Sequence, residues 1–436
     1  MAYALNHATI LNGHLDMEPE QDMCVIVDDD GIIESIAKSS TVLLPREFKQ
    51  YDLKGAYLLP GLINLHAHLC GTGKPTSSSG ASNLAGLVTN NPIGRSWLRH
   101  RIQKSAETEL LSGVTTLRCS GDPCYADIQT RDAINKGEYR GPRILACGWG
   151  ITPKSGHGRG IIAQQATTAQ EAQDLVAQIA SHNPNCIKLL VTGGVFDAEK
   201  PGEPGILRMA PEMIEAACKK AHSYNLPVAA HVESTAGIAA ALKAGVDTIE
   251  HGAVLTDEII ELFEHNGAGR TSSLTTTISP AIPLARFSAE KTHSTDVVKL
   301  NADIVFKGIV TAAKQALSHG IQTGLGTDAT CPYVTHYDMW RELVYFHELV
   351  EVSTSFALHT ATQVNAQILG LDNITGTIDE GKSADMIVCS QNPLDNLEAL
   401  RKLDMVIARG KVIINPRPHH MGKIDRDMDK ILHTEA

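Results

Sequence analysis

The feature that most constrains the fold is a repeated alternation between short apolar runs and helix-length segments. The apolar runs have about the length of a β-strand, and they begin at residues 57, 113, 143, 186, 226, 247, 269 and 321. Amphipathic patterns typical of helices occupy residues 168–182, 210–225, 234–245 and 305–320 between them. A strand followed by a helix, repeated eight times, predicts an α/β protein with a (β/α)8 TIM barrel.

The two ends of the chain differ from this middle, because both consist of short strand-like runs with glycine turns. Near the N-terminus, two apolar runs meet at Asp30-Gly31, which predicts a β-hairpin. The ends of a folded chain are often close together. We therefore predict a barrel over residues 58–371 and a small β-sandwich domain built from residues 1–57 and 372–436, with the polar last residues at its periphery.

Composition and charge narrow the class of partner. The 436-residue chain has a formal net charge of -11 and contains no basic run, which disfavours nucleic acid and anionic membranes. We find neither a signal-peptide pattern at the N-terminus nor an apolar stretch long enough to span a membrane. The nine cysteines are scattered without paired spacing, as in proteins with reduced thiols. These features predict a cytoplasmic protein that acts on a small molecule.

The predicted ends of the barrel strands carry a set of metal-binding residue types. The first strand ends in His66-Ala67-His68, and residues two apart on a strand face the same side. The other predicted strand ends carry Lys188, His231, His251 and Asp328. Active sites of (β/α)8 barrels form at these ends, and imidazole with carboxylate suits zinc and similar divalent metals. The sequence therefore predicts a metal site.

Each of these residues has an ordinary alternative when it is taken alone. A single histidine at a strand end is usually a polar core residue, and Asp328 could simply cap a helix. Lys188 lies in the apolar run 185–194, where it could extend its amine out to solvent. All six residues together lie at the predicted ends of five strands, and chance is a poor explanation for that arrangement.

Several motifs in chain order resemble the amidohydrolase superfamily. They are PGLINLHAHL, IKLLVTGG, AAHV, IEHG and GTDA, followed by GKSADMIV and MVIARGKVI near the C-terminus. SGHG and IKLLVTGG more narrowly resemble the imidazolonepropionase-like branch, especially its Xaa-Pro dipeptidase and Xaa-Arg carboxypeptidase types. The resemblance implies a hydrolase of carbon–nitrogen bonds with a two-metal centre.

The same resemblance implies a role for each ligand. His66 and His68 would bind a first divalent ion, and His231 and His251 a second, with Zn2+ as the expected metal. Lys188 would bridge both ions as an N-carboxylated lysine. Burial lowers the pKa of an amine, and a neutral amine can add carbon dioxide to become a carbamate, which is a carboxylate on a long arm.

The resemblance also implies the chemistry of hydrolysis. Two metal ions can hold a bridging hydroxide that attacks the substrate carbonyl. Asp328 would touch the first metal, accept the proton of that hydroxide and deliver it to the leaving nitrogen. His157 would contact the substrate carbonyl or the oxyanion that forms from it, although a flexible loop residue is the alternative.

The substrate is less constrained. Arg159 could pair with a substrate carboxylate or be solvated, and Glu233 could bind an amine or only favour the start of the next helix. His336 is a candidate for the pocket wall, and the polar segment 71–93 is a candidate lid. A dipeptide or N-acyl amino acid fits best; a cyclic amide of the imidazolonepropionase type and a non-catalytic barrel relative are the alternatives. The resemblance suggests a homo-oligomer.

Overall fold

The computed structural model describes residues 2–45, 47–76, 86 and 88–433. The strands are β1 Tyr3–Ile10, β2 Glu20–Val27, β3 Ile33–Lys38, β4 Lys49–Asp52, β5 Tyr57–Pro60, β6 Leu62–Ala67, β7 Val114–Cys119, β8 Arg143–Leu145, β9 Gly150–Pro153, β10 Ala163–Ala166, β11 Ile187–Leu190, β12 Val228–Val232, β13 Thr248–His251, β14 Ser273–Thr276, β15 Thr323–Leu325, β16 Met386–Cys389, β17 Met405–Ala408 and β18 Lys411–Ile414. The helices are α1 Pro92–Leu111, α2 Ala126–Asn135, α3 Ala169–Ala180, α4 Pro211–Ser223, α5 Thr235–Lys243, α6 Asp257–Glu264, α7 Ala281–Arg286, α8 Ala289–Thr292, α9 Asp296–Ser318, α10 Met339–Val350, α11 Thr354–His359, α12 Asn365–Ile368 and α13 Gly422–Asp429.

The chain divides into two compact units, and the first is built around one sheet to which both ends of the chain contribute. This unit comprises Met1–Asn64, Glu107–Thr116 and Tyr337–His420. Its strands run in the order β18-β17-β16-β5-β1-β2-β3, with β4 also paired to β1. The antiparallel pair of β2 and β3 is the hairpin predicted at Asp30-Gly31. One sheet thus joins the two ends, while its arrangement as a sandwich stays a prediction.

The second unit comprises Leu65–Ala106, Leu117–His336 and Met421–Ala436. Its main sheet has the order β10-β9-β11-β12-β13-β14-β15, and its paired strands are parallel. The predicted helical segments form α3, α4, α5 and the second half of α9. This is a mixed α/β fold in which a strand is repeatedly followed by a helix, as the alternation in the sequence predicts.

Strand β6 belongs to a smaller sheet with the order β6-β7-β8. Backbone hydrogen bonds connect the ends of this sheet with the larger one. The amides of Thr327 and Asp328 donate to the carbonyl of His66 at 3.1 and 2.8 Å, and the amide of Asn185 donates to the carbonyl of Ala146 at 2.7 Å. These bonds bring the segment after β15 beside β6. A fully closed eight-stranded barrel remains a prediction.

Side chains alternate between the two faces of a strand, and this explains which of them point away from the core between the sheet and the helices. Ile187 and Leu189 of β11 belong to this core, together with side chains of α3 and α4. Because neighbouring residues of a strand face opposite sides, Lys188 points to the other face of the sheet. The same rule holds in β12, where Ala230 belongs to the core and His231 faces away from it.

Two further predictions concern segments outside the sheets. The candidate lid at 71–93 lies partly outside the described residues, which leave out 77–85 and 87. Among the helices that the structure describes, none has the length and apolarity needed to cross a membrane.

Candidate metal centre

Five histidine rings form a continuous chain in the second unit. The ring centroids of His66 and His68 are 5.5 Å apart, those of His66 and His251 4.9 Å, and those of His231 and His251 4.6 Å. His157 stacks on His231 at 4.5 Å with an interplanar angle of 10°. The structure therefore brings together the four strand-end histidines and the loop histidine that the sequence pattern singled out.

Three of the four strand-end histidines contact an oxygen of the protein through Nδ1. The contacts are His66 Nδ1 to Glu250 Oε2 at 2.6 Å, His68 Nδ1 to the carbonyl of Gly121 at 2.7 Å, and His251 Nδ1 to Thr277 Oγ1 at 2.6 Å. A carboxylate and a carbonyl can only accept, so His66 and His68 carry a proton on Nδ1. In the neutral rings Nε2 then carries no proton, which is the usual arrangement of metal-bound histidines.

The buried histidines are also held in the neutral form that binds metals. Burial lowers the pKa of His66 to about 4, with a further contribution from Lys188. Burial likewise holds the pKa values of His231 and His251 well below the ordinary range. A neutral imidazole can offer a lone pair to a metal ion, whereas the protonated ring cannot.

Asp328 faces the first pair of histidines. Its Oδ1 lies 3.5 Å from His66 Nε2 and 3.4 Å from His68 Nε2, yet it forms no hydrogen bond of good geometry. Burial by itself would raise the pKa of Asp328, but the two imidazoles hold it well below the usual value. His66, His68 and Asp328 could thus hold a metal ion, since one ligand atom of each lies within 4.8 Å of the others.

Lys188 is 2% exposed, and its Nζ has no hydrogen-bond partner among the residues that the structure describes. Burial lowers the pKa of its amine. Lys188 is also close enough to His66, His231 and His251 to lower their pKa values. An amine with no partner among neutral histidines is costly to bury. The donor set around His66, His68 and Asp328 therefore fits a divalent ion, and the buried Lys188 amine beside it calls for a separate explanation.

Two residues of the site escaped the sequence analysis. Glu250 accepts from His66 through Oε2 and from Arg118 through Oε1, the latter at 2.6 Å. Arg118 also donates to the carbonyl of Leu65 at 2.7 Å. Burial would raise the pKa of Glu250, but Arg118 and His66 hold it below its ordinary value. Arg118 lies in an apolar run of the sequence just as Lys188 does, so a search for charged residues within apolar runs would have found it.

His157 is held by Asp197, which the sequence analysis also missed. Their Nδ1 and Oδ2 atoms are 2.5 Å apart. Burial by itself would lower the pKa of His157, but Asp197, together with Glu233 and Asp328, raises it. A protonated ring can donate through both nitrogens. His157 can thus hold Asp197 and donate to a substrate oxygen at the same time.

The predicted substrate contacts differ in their placement. Glu233 Oε1 lies 4.0 Å from His231 Nε2, and burial raises the pKa of Glu233 to about 8. Its Oε2 has no hydrogen-bond partner in the described part of the chain. His336 is buried, with its Nε2 3.1 Å from the carbonyl of Gly71. Arg159 is exposed. Glu233 is therefore the best placed of the three for a group bound beside His231.

The fold and the site together define a class of protein. The model of the Amidohydrolase family matches residues 57–413. The chain therefore belongs to the amidohydrolase family, and it is a hydrolase that acts on carbon–nitrogen bonds. The resemblance seen in the sequence motifs is confirmed.

Similar proteins place the chain more narrowly. A structure of a Bifidobacterium longum protein, provisionally designated a prolidase, is 38% identical, covers 98% of both chains and has a TM-score of 0.87. A Xaa-Pro dipeptidase structure with methionine bound in its active site is 28% identical, covers 95% of this chain and all of the other, and has a TM-score of 0.82. Ochratoxinase of Aspergillus niger is 24% identical over 416 residues, which cover 89% of this chain and 81% of its own.

Proposed function

We propose that the protein is a metal-dependent hydrolase of the amide bond of dipeptides, similar to Xaa-Pro dipeptidases. The observation that carries this proposal is the placement of Lys188. It is buried, its Nζ has no hydrogen-bond partner among the described residues, and it lies close to His66, His231, His251 and Asp328. The similarity to two dipeptidase-like structures supports the peptide substrate.

The ligands divide into two groups. His66 and His68 would hold one ion together with Asp328, and His231 and His251 would hold the other. Lys188, once carboxylated, would contribute an oxygen to each. Two divalent ions, Zn2+ being the expected metal, would lower the pKa of a bound water and polarise the scissile carbonyl.

The protein's own groups would complete the reaction. Oδ1 of Asp328 has no hydrogen-bond partner within the described ranges, so it would accept the proton of the attacking water and deliver it to the leaving nitrogen. His157 would donate to the substrate oxygen as negative charge develops there. These roles match the order of events in amide hydrolysis, in which the nitrogen must be protonated before it leaves.

Glu233 would select the end of the substrate that lies beside His231. Its unpartnered Oε2 is suited to the ammonium group of a free dipeptide. An N-acyl amino acid has no such cation, so this contact favours the dipeptide. His336 would form part of the pocket wall, and Arg159, being exposed, would reach a substrate carboxylate only at the rim.

The architecture proposed for this function is a closed (β/α)8 barrel over residues 58–371, with a small β-sandwich domain from 1–57 and 372–436. The hydrogen bonds between the segment after β15 and β6 support closure. We further propose a cytoplasmic homo-oligomer.

A dipeptide screen with defined metal content tests the proposal. Purified protein is freed of metal, reloaded with Zn2+ and assayed against dipeptides that vary at both positions, with N-acyl amino acids and imidazolonepropionate as competitors. We expect about two ions per chain and hydrolysis only in the reloaded protein. Absence of bound metal together with no hydrolysis of any dipeptide would refute the proposal. Hydrolysis of imidazolonepropionate without hydrolysis of any dipeptide would instead assign the enzyme to the cyclic amidohydrolases.

A further inference from the structure

We propose that Asp197 is a positioning residue that fixes the His157 imidazole for the reaction. The contact between Asp197 Oδ2 and His157 Nδ1 is 2.5 Å long and joins residues 40 positions apart in the chain. Because a carboxylate only accepts, Nδ1 is committed to Asp197. Nε2 is then the nitrogen left to reach the substrate. The contact itself is observed; its effect on catalysis rests on the proposed function.

The Asp197 carboxylate is itself fixed by its own turn. Asp197 ends a single 3-10 turn, Val195–Asp197, and its Oδ2 also accepts from the amide of Gly194 at 2.8 Å. Two donors therefore converge on one oxygen. A side chain that is held in this way transmits its position to the ring it binds, as the third member of a catalytic triad does for its histidine.

Arg208 ties the two segments that carry this pair. It donates to the carbonyl of Ser155, next to the His157 loop, at 2.9 Å and to the carbonyl of Asp197 at 3.0 Å. The loop and the turn are thus joined by the guanidinium as well as by the side chains. The hydrogen bonds of Arg208 therefore help to fix the distance between His157 and Asp197.

The glycine at the end of the β11 motif makes room for the ring. A Cβ at Gly194 would lie 2.7 Å from both Cε1 and Nδ1 of His157, which is closer than atoms of this kind approach. The ring also stacks on His231 with an interplanar angle of 10°. His157 therefore contacts both the backbone of Gly194 and the ring of His231, which together form a slot in which Asp197 sets the rotation of the ring.

Variants of both residues test this role. D197A, D197N, H157A and the double variant are compared in the metal-loaded protein, with kcat and KM measured on a dipeptide that the parent enzyme hydrolyses. We expect D197A to lower kcat by about 10- to 100-fold with little change in KM, and D197N to lose less. In an H157A background the further change D197A should have an effect of less than about twofold, because its partner is gone.

Crystal structures provide a readout that does not depend on activity. In D197A we expect the His157 ring to leave its parallel stack on His231, whereas D197N should retain the stack. D52A is the matched control, since Asp52 forms an exposed pair with His7 at 3.1 Å and its loss should leave kcat unchanged. A ring that keeps its place in D197A would overturn the proposal even if no dipeptide were hydrolysed. Losses that multiply in the double variant would overturn it as well.

Discussion

His66 and Glu250, which are 184 residues apart in the chain, meet through a 2.6 Å hydrogen bond between Nδ1 and Oε2. Glu250 directly precedes His251, so one strand end supplies both a proposed ligand and the group that orients another. Arg118 holds the second oxygen of Glu250. The orientation of the His66 ring is therefore set by protein groups that come from two other strands.

The first prediction concerns this orienting group. E250Q leaves His66 without its anionic partner and Arg118 without a compensating charge. We expect the affinity for Zn2+ to fall by about 10- to 100-fold and the free energy of unfolding of the metal-free protein to fall by about 3 kcal/mol. Metal titration and chemical denaturation measure the two effects. Unchanged values of both would show that Glu250 neither orients His66 nor balances Arg118.

The second prediction contrasts two buried basic residues. K188M removes an amine without a partner, so we expect it to stabilise the metal-free protein by about 1–3 kcal/mol while it abolishes activity. R118M is the matched variant, and it should destabilise the protein by about 3–5 kcal/mol because Glu250 loses its partner. Denaturation in the presence of a chelator measures both changes. A destabilised K188M protein would indicate that the amine has a structural role.

The third prediction tests the slot around His157. G194A adds a methyl group against the ring at a backbone position without positive φ, so the effect is steric. We expect kcat to fall by about 10- to 100-fold. G308A in α9 is the control, because a Cβ there meets only the Cα of Ala253 at 3.7 Å. It should leave kcat unchanged and add about 0.5–1 kcal/mol of stability. Equal kcat values in the two variants would contradict the steric account.

The fourth prediction concerns the substrate end beside His231. E233Q keeps the shape of the side chain and prevents it from ionising, which a bound ammonium group would favour although burial raises the pKa of the free side chain to about 8. We expect kcat/KM for free dipeptides to fall by at least about tenfold, while the value for their N-acetylated forms changes little. Steady-state kinetics on matched pairs of substrates give this ratio. An equal loss for both forms would mean that Glu233 does not bind the ammonium group.

The strands and most of the proposed ligands could be predicted because period-two alternation is a local property. It places Lys188 and His231 opposite the core residues Ile187 and Ala230. The same rule applied to β13 makes Glu250 the residue that faces away from the core, since Ile249 belongs to it. His251 reaches the site because its φ of 73° turns the backbone at the strand end.

The missed residues are those whose partners come from distant parts of the chain. Arg118 looks like a defect in an apolar run until Glu250 is brought beside it by the fold. Asp197 lies in a glycine-rich loop where an aspartate is ordinary, and nothing local indicates that His157 is its partner. Asp328 was found, but its φ of 54° and its contacts with two histidines depend on the packing of the segment after β15 against β6.

The most direct test of the account is a crystal structure of the zinc-loaded protein with anomalous data at the zinc edge. We predict two anomalous peaks, one beside His66 and His68 and one beside His231 and His251, with planar density on Lys188 Nζ between them. A bare Lys188 amine with a single peak, or with none, would contradict the claim that this buried lysine acts as an anion between two metal ions.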